Sequence, residues 1–465
     1  MKSSITVRMY NQNNLGDCFL LKIREDDYEK YMLIDFGSYT NGNTEKEKEI
    51  AEDIKNTVGE KPLTIVLTHQ HKDHLSGFIN ANKIFERINV EEVWLSFLDD
   101  PLDSDATSMK KITEKFWKVN KENKDKLKEK FGNQEKFKKI NTMLQAKDGI
   151  DGFGEELYAE KQSGGQAITN LRQWSNDNIR FLSPGEIVKL NNLNVYVLGP
   201  PKKIEYLKKL NPNKNEAVHH LNVMMELNHL EVAANLLNDA LHHRRSDFPF
   251  SDQHSTKAKD VQKHSPSANQ KQSYEKKDLE WRKIDFDWLN DFGRMSLHMD
   301  TLTNNSSLVL AFELPESKKV LLFVGDAQIG NWKSWFEVEF NDNKVKAKDL
   351  LSRTVFYKAG HHSSHNATLL EGLNLMNEKE LVIMIPVNED VSVKNGFAML
   401  KPGMLAGYNR KSSGRVLRSD KIYQPQLDIH TESNFIDSDS DFSKNVIIKK
   451  DLLNQSHLYV EYTVY

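Results

Sequence analysis

The chain has 465 residues, 38% of them hydrophobic and 28% charged, with a net charge of −3 and a single cysteine, Cys18. This excludes an intramolecular disulfide and a uniformly basic surface, so any attraction to nucleic acid must come from local patches. The length allows one large domain with insertions, or two to three ordinary ones.

The start, MKSSITVRMYNQN, lacks the apolar core of a signal peptide, and runs such as LVIMIPV (381–387) are too short to span a bilayer, so a cytoplasmic protein is expected. Strands are expected at ITVRMY (5–10), DCFLLKI (17–23) and YMLIDFG (31–37), then a helix over 45–59 closed by Gly59. PLTIVLTH (62–69) reads as a buried strand, and EEVWLSF (91–97) as another. From Ser108 to Lys139 there are 12 Lys against 5 Asp or Glu, and apolar residues keep helical spacing, which predicts inserted amphipathic helices with a basic face. ITNLRQW predicts a short helix, and residues 181–201 predict strands. A second insertion follows, helical over 217–243, polar and loop-like over 244–278, and helical again near 280–300. SSLVLAFEL (306–314), KKVLLFVGD (318–326), TVFYKAG (354–360) and ELVIMIPV (380–387) return to strand, with a helix near 367–377. The tail reads as loop-rich, with a basic stretch GYNRKSSGRVLRSD (407–420), and ends in strand-like NVIIKK and HLYVEYTVY. The expected organisation is a core in three pieces, 1–100, 181–201 and 300–390, two insertions, 101–180 and 202–299, and an extension, 391–465.

The chemistry concentrates in LTHQHKDHLSGF (67–78), where His69, His71, Asp73 and His74 lie within six residues at the end of a strand. Imidazole and carboxylate donors suit Zn, Mn or Fe. His69 and His71 are expected to hold one ion, and Asp73 and His74 a second. Other strand ends deliver Asp35, Asp326, and His361 with His362. Strand ends at one edge of a sheet are where open α/β folds build sites.

LIDFG, THQHKDH, FVGD and the late His pair together resemble the metallo-β-lactamase superfamily, whose fold is an αββα sandwich of metal-dependent hydrolases. The closest resemblance is to the hydrolase domain of the bacterial competence protein ComEC, through LGDCFLL (15–21), NNSSLVL (304–310) and KAGHHSS (358–364). It covers about residues 5–97, 181–200 and 300–388, and neither the insertions nor the tail. It implies a binuclear site of His69, His71, Asp73, His74, Asp326 and His361, with Asp73 and Asp326 central to catalysis. Position after the strand favours His361 as the ligand, with His362 beside it as support or substrate contact. Where many superfamily members carry a His in the turn before the FVGD strand, this chain has Asn304 and Asn305; His298, upstream, is a possible substitute. Asp35 is expected to orient a ligand His or the site turn, and Lys358 and Ser363 to meet a phosphate.

Two divalent ions, Zn or Mn, would share a hydroxide and hold the scissile group. The leading expectation is a phosphodiesterase or nuclease on DNA or RNA. Its phosphate contacts would come from the basic insertion and NRKSSGRVLR (409–418), with Phe116, Trp117, Phe131 and Tyr408 stacking on bases. The alternatives are hydrolysis of a small lactone, thioester, β-lactam or phosphoester, and a weakly catalytic assembly subunit that meets a protein partner through its insertions.

Overall fold

The computed structural model describes residues 3–39, 43–104, 106–107, 163–207, 301–340, 345–395, 399–421, 441–450 and 457–465. All of these belong to one unit, formed by residues 1–112, 146–213 and 300–465. The expected helices and loop between Ser108 and Lys139 and over 217–300 lie outside the described residues, as does His298.

The chain is mixed α/β. Its strands are β1 (Ser4–Tyr10), β2 (Cys18–Glu25), β3 (Tyr28–Phe36), β4 (Leu63–Val66), β5 (Val90–Ser96), β6 (Ile179–Leu182), β7 (Ile187–Leu190), β8 (Leu193–Gly199), β9 (Val309–Glu313), β10 (Val320–Phe323), β11 (Thr354–Lys358), β12 (Val382–Ile385), β13 (Val416–Arg418), β14 (Val446–Lys450) and β15 (His457–Val464). They form two mixed sheets, ordered β14-β15-β1-β2-β3-β4-β5-β6 and β13-β12-β11-β10-β9-β8-β7. In each sheet an antiparallel part meets a parallel part: β3, β4, β5 and β6 run parallel in the first, and β10 to β13 in the second.

Alternation along the strands explains the layering, because successive side chains point to opposite faces. Ile5, Val7 and Met9 of β1, Phe19, Leu21 and Ile23 of β2, Leu310 and Phe312 of β9, and Leu321 and Phe323 of β10 share one apolar cluster between the sheets. Cys18, Leu20 and Leu33 face the other way, onto the helices Thr44–Val58, Lys72–Asn80 and Ser163–Trp174. Val309, Ala311, Val320 and Leu322 likewise pack with Trp332, Leu350 and Tyr408 on the outer face of the second sheet. Each fully buried side chain of this kind contributes about 1.5–3 kcal/mol. Strands buried on both faces read as continuous apolar runs, which is why LTIV and VIMI show no alternation.

The tail departs from its loop-rich reading. Residues Pro402–Ser412 form a helix, and Val416–Arg418 pair in parallel with β12. Tyr408 anchors that helix: it is fully buried, and its hydroxyl shares a 2.7 Å hydrogen bond with Thr368. The helix keeps its polar side outward, so the apolar spacing in sequence is weak. β15 pairs with β1 and with β14, so the segment placed beyond the core completes both sheets. Among the described residues, no helix is long and apolar enough to cross a membrane.

β15 also carries a buried titrating group. His457 is 1% exposed, and burial lowers its pKa to about 4, partly opposed by Asp420. Between that value and about 6.5 the unfolded chain binds a proton that the folded chain does not. Stability is therefore expected to fall by about 2 kcal/mol as pH drops through this window. Urea unfolding at pH 7.5 and 4.5 checks this: His457→Phe should reduce the loss, and an unchanged loss would refute the assignment.

Candidate metal centre

The centre lies where the ends of β3, β4, β10 and β11 meet. A backbone bond from Leu308 N–H to the Thr68 carbonyl, 2.8 Å, joins the two sheets here. Two glycines allow the loops to close in. Gly37 packs against the first turn of the helix Lys72–Asn80, where a Cβ would lie 2.3 Å from the Lys72 carbonyl oxygen. Gly16, at φ +149°, lies against Gly37, and a Cβ there would meet the Gly37 carbonyl oxygen at 2.0 Å. The Asp17 N–H then donates to the Asp73 carbonyl, 2.9 Å, which fixes the Gly16–Asp17 loop to the motif helix.

Asp35, at φ +55° near the end of β3, organises the motif. Its Oδ1 accepts the Thr68 N–H at 2.7 Å, and its Oδ2 accepts the Thr68 hydroxyl at 2.7 Å and the His74 Nδ1–H at 2.8 Å. His74 is thereby held with Nε2 facing the centre. The Thr68 hydroxyl is spent on Asp35, so its oxygen accepts from His69 Nδ1 at 3.1 Å, which leaves His69 Nε2 as a lone pair. His362 is set the same way: Nδ1 donates to the Pro386 carbonyl at 2.6 Å, and Nε2 faces Asp73 Oδ2 at 2.9 Å.

Donors converge as a result. His74 Nε2 is 3.3 Å from Asp326 Oδ2 and 3.9 Å from Asp73 Oδ2, and His362 Nε2 is 3.8 Å from Asp326 Oδ2. Tetrahedral bonds of 2.0–2.1 Å imply donor separations of about 3.3 Å. Asp17, His74, Asp326 and His362 place one ligand atom each within 4.8 Å of one another, all buried. His74 Nε2, Asp326 Oδ2 and Asp17 Oδ1 are buried without a hydrogen-bond partner, an arrangement that fits a bound cation.

Electrostatics agree with a cation-binding centre. Burial opposes charge on His74, but Asp326, Asp35, Asp17 and Asp73 outweigh it and raise the imidazole well above its ordinary value. Burial likewise lowers His362, yet Asp326, Asp73 and Asp17 lift it to about 8. His69 is pushed down, by burial and by its His neighbours. Burial raises the Asp326 carboxyl, but His74, His362 and Lys358 win and hold it well below the usual range. Lys358 is 1% exposed, paired with Asp17, donating to the Gly325 carbonyl at 2.6 Å and lying 3.4 Å from Asp326 Oδ1.

The expected residues thus occupy different places. His74, Asp326 and His362 share the group, with Asp73 against His362. His69 and His71 sit beside it, His69 Nε2 at 3.0 Å from His71 Nδ1. His361 is outside the group: its ring lies 2.8 Å from the Ser364 hydroxyl and 3.3 Å from Gln328, and its backbone N–H donates to Asp326 Oδ1. The reason is local backbone geometry. His361, His362 and Ser363 all have left-handed φ, at 42°, 47° and 63°, and this turn sends His362 inward. Lys358 and Ser363, expected to meet a phosphate, are buried. Asn305 is a scaffold: its Oδ1 accepts the Gln328 and Asn331 N–H groups and its Nδ2 donates to the Leu207 carbonyl; Asn304 is fully buried beside it. Gln70 turns outward to Asp99, 2.5 Å away. Asp17 joins the group although the sequence offered only its place in LGDCFLL, since an acid after a glycine does not announce where its loop docks. Tyr408, expected to stack on bases, is buried. Of its basic neighbours, Lys411, Arg415 and Arg418 already bond to protein groups.

Comparison with protein-family models and with curated proteins returns no match.

Two expectations follow. Protons on His362 compete with a cation, so apparent affinity for Zn or Mn should fall as pH drops below about 8 and binding should release protons, measurable by calorimetry in buffers of different ionisation enthalpy. Asp35→Asn should weaken cation binding by roughly 10–100-fold, because His74 and, through Thr68, His69 lose the acceptor that orients them. Equal affinity in the variant would remove Asp35 from this role.

Proposed function

We propose that the chain is a metal-dependent hydrolase with the αββα sandwich of the metallo-β-lactamase superfamily, akin to the hydrolase domain of ComEC, and that it cleaves phosphodiesters. The observation that carries this reading is the convergence of Asp17, His74, Asp326 and His362 on one buried point, with Asp73 Oδ2 2.9 Å from His362 Nε2 and lone pairs set by outer partners. Two sheets sharing one core, with helices on their outer faces, support the fold assignment.

Divalent ions held there would supply Lewis-acid polarisation and activation of water. The chain's own residues do the rest. Asp35 and Pro386 fix the two imidazoles. Lys358 offsets part of the charge of Asp17 and Asp326 and holds both in place. The least buried members are His71 and Asp73, at 6% and 8%, and His361 is half-buried beside Asp326, so substrate approaches from that side. A site of buried carboxylates loaded with divalent ions favours an anionic ester, whose oxygens match the added positive charge.

The test uses full-length protein stripped of metal, reloaded with Mn or Zn and given single- and double-stranded DNA and RNA. Cleavage should depend on the metal and fall by roughly 10²–10³-fold in Asp326→Asn and in His69→Ala/His71→Ala, with Tm retained. Cleavage of a small lactone or thioester, with every nucleic acid untouched, would move the substrate class to small esters.

A further inference from the structure

The turn that aims His362 at the centre does not fix its own hand. His361, His362 and Ser363 hold left-handed φ of 42°, 47° and 63°. The Ser363 N–H donates to the Gly360 carbonyl and the Ser364 N–H to the His361 carbonyl, both at 2.9 Å. Bonds of this spacing close a tight turn of either hand, and residues other than glycine prefer the right-handed one. The left-handed form therefore needs support from outside the turn.

A row of buried hydroxyls supplies it. Thr368 Oγ1 lies 2.7 Å from the Tyr357 hydroxyl and 2.7 Å from the Tyr408 hydroxyl. A threonine hydroxyl has one proton, so at least one tyrosine donates to it. The Tyr357 hydroxyl lies 3.4 Å from the Gly360 nitrogen, immediately before the turn. The Tyr408 hydroxyl neighbours the side chain of Ser363, the last residue in it. Tyr357, Ser363 and Tyr408 are fully buried, so water does not replace these contacts. Three segments thus meet at the turn: β11 through Tyr357, the loop after it through Thr368, and the helix Pro402–Ser412 through Tyr408. The bond from His362 Nδ1 to the Pro386 carbonyl, 2.6 Å, fixes the ring only once the turn has sent it inward.

We propose that Tyr408 is a positioning residue for the metal centre: its hydroxyl, with Thr368 and Ser363, holds the 361–363 turn in the form that directs His362 inward. The tail helix then helps to set the affinity of the site for a divalent ion, although none of the four converging donors comes from it. This rests on the reading of Asp17, His74, Asp326 and His362 as a cation site.

Titration of the full, metal-stripped chain with Co(II) tests it, because the visible absorption of the ion reports both affinity and coordination geometry. Tyr408→Phe removes one oxygen and keeps the packed ring. Its Co(II) affinity should fall by about tenfold and its spectrum should change shape, with Tm lowered by no more than a few degrees. In His362→Ala, which already lacks the ligand, adding Tyr408→Phe should cost nothing further, since the hydroxyl acts through that imidazole. Thr368→Val breaks the row at its middle and should behave like Tyr408→Phe; it carries the test if that variant misfolds. Tyr10→Phe is the control: it removes a buried hydroxyl that bonds to Asp53 at 2.8 Å on the outer face of the first sheet, and should leave Co(II) binding unchanged. Unaltered affinity and spectrum in Tyr408→Phe and Thr368→Val would overturn the proposal and leave the cation site standing. An equal loss in Tyr10→Phe, or a full further loss on top of His362→Ala, would also overturn it, as the mark of general destabilisation. No Co(II) binding by the unaltered chain would remove the cation-site reading and this inference together.

Discussion

The centre depends on one carboxylate. Asp35 accepts from the Thr68 N–H, the Thr68 hydroxyl and the His74 ring, and through Thr68 it also sets His69. Each bond to an ionised acceptor is stronger than a neutral one, and the side chain is 1% exposed, so water does not compete. The left-handed backbone at Asp35 is one that Asp tolerates better than most residues. It ends the extended strand and places the carboxylate against the β4 end. Without this clamp, three imidazoles on a short turn would have many rotamers and no common focus.

Around Asp35 the structure accumulates cost. Four buried acids lie together beside the buried ammonium of Lys358, and three consecutive residues, His361 to Ser363, hold left-handed backbone worth about 1–3 kcal/mol of strain each. Such cost persists where the surroundings overdetermine it. Here the surroundings are two sheets fixed by a shared apolar core and a motif helix pressed against Gly37.

The scaffold was largely legible. Strands β1 to β5 and β9 to β12 fall within a few residues of the apolar runs that predict them, because period-two alternation and buried runs are local signals. The motif was legible because its ligand types are crowded into one strand end. The tail was not: the helix Pro402–Ser412 has a mainly polar surface, and one buried tyrosine anchors it. A basic stretch with an aromatic looked like a nucleic-acid contact, when Tyr408 faces the core and Arg418 faces Glu389 and Asp420.

The sequence by itself determined the donor chemistry, the strand ends that deliver it and the mixed α/β class, since each is written in residue type and short-range spacing. Only the tertiary structure decided which of two adjacent histidines turns inward, and that Asp17 belongs to the group. The first depends on the sign of three φ angles, and the second on a glycine loop docking across the fold against Asp73. Adjacent side chains point in different directions, and contacts between residues far apart in the chain leave no mark on local pattern.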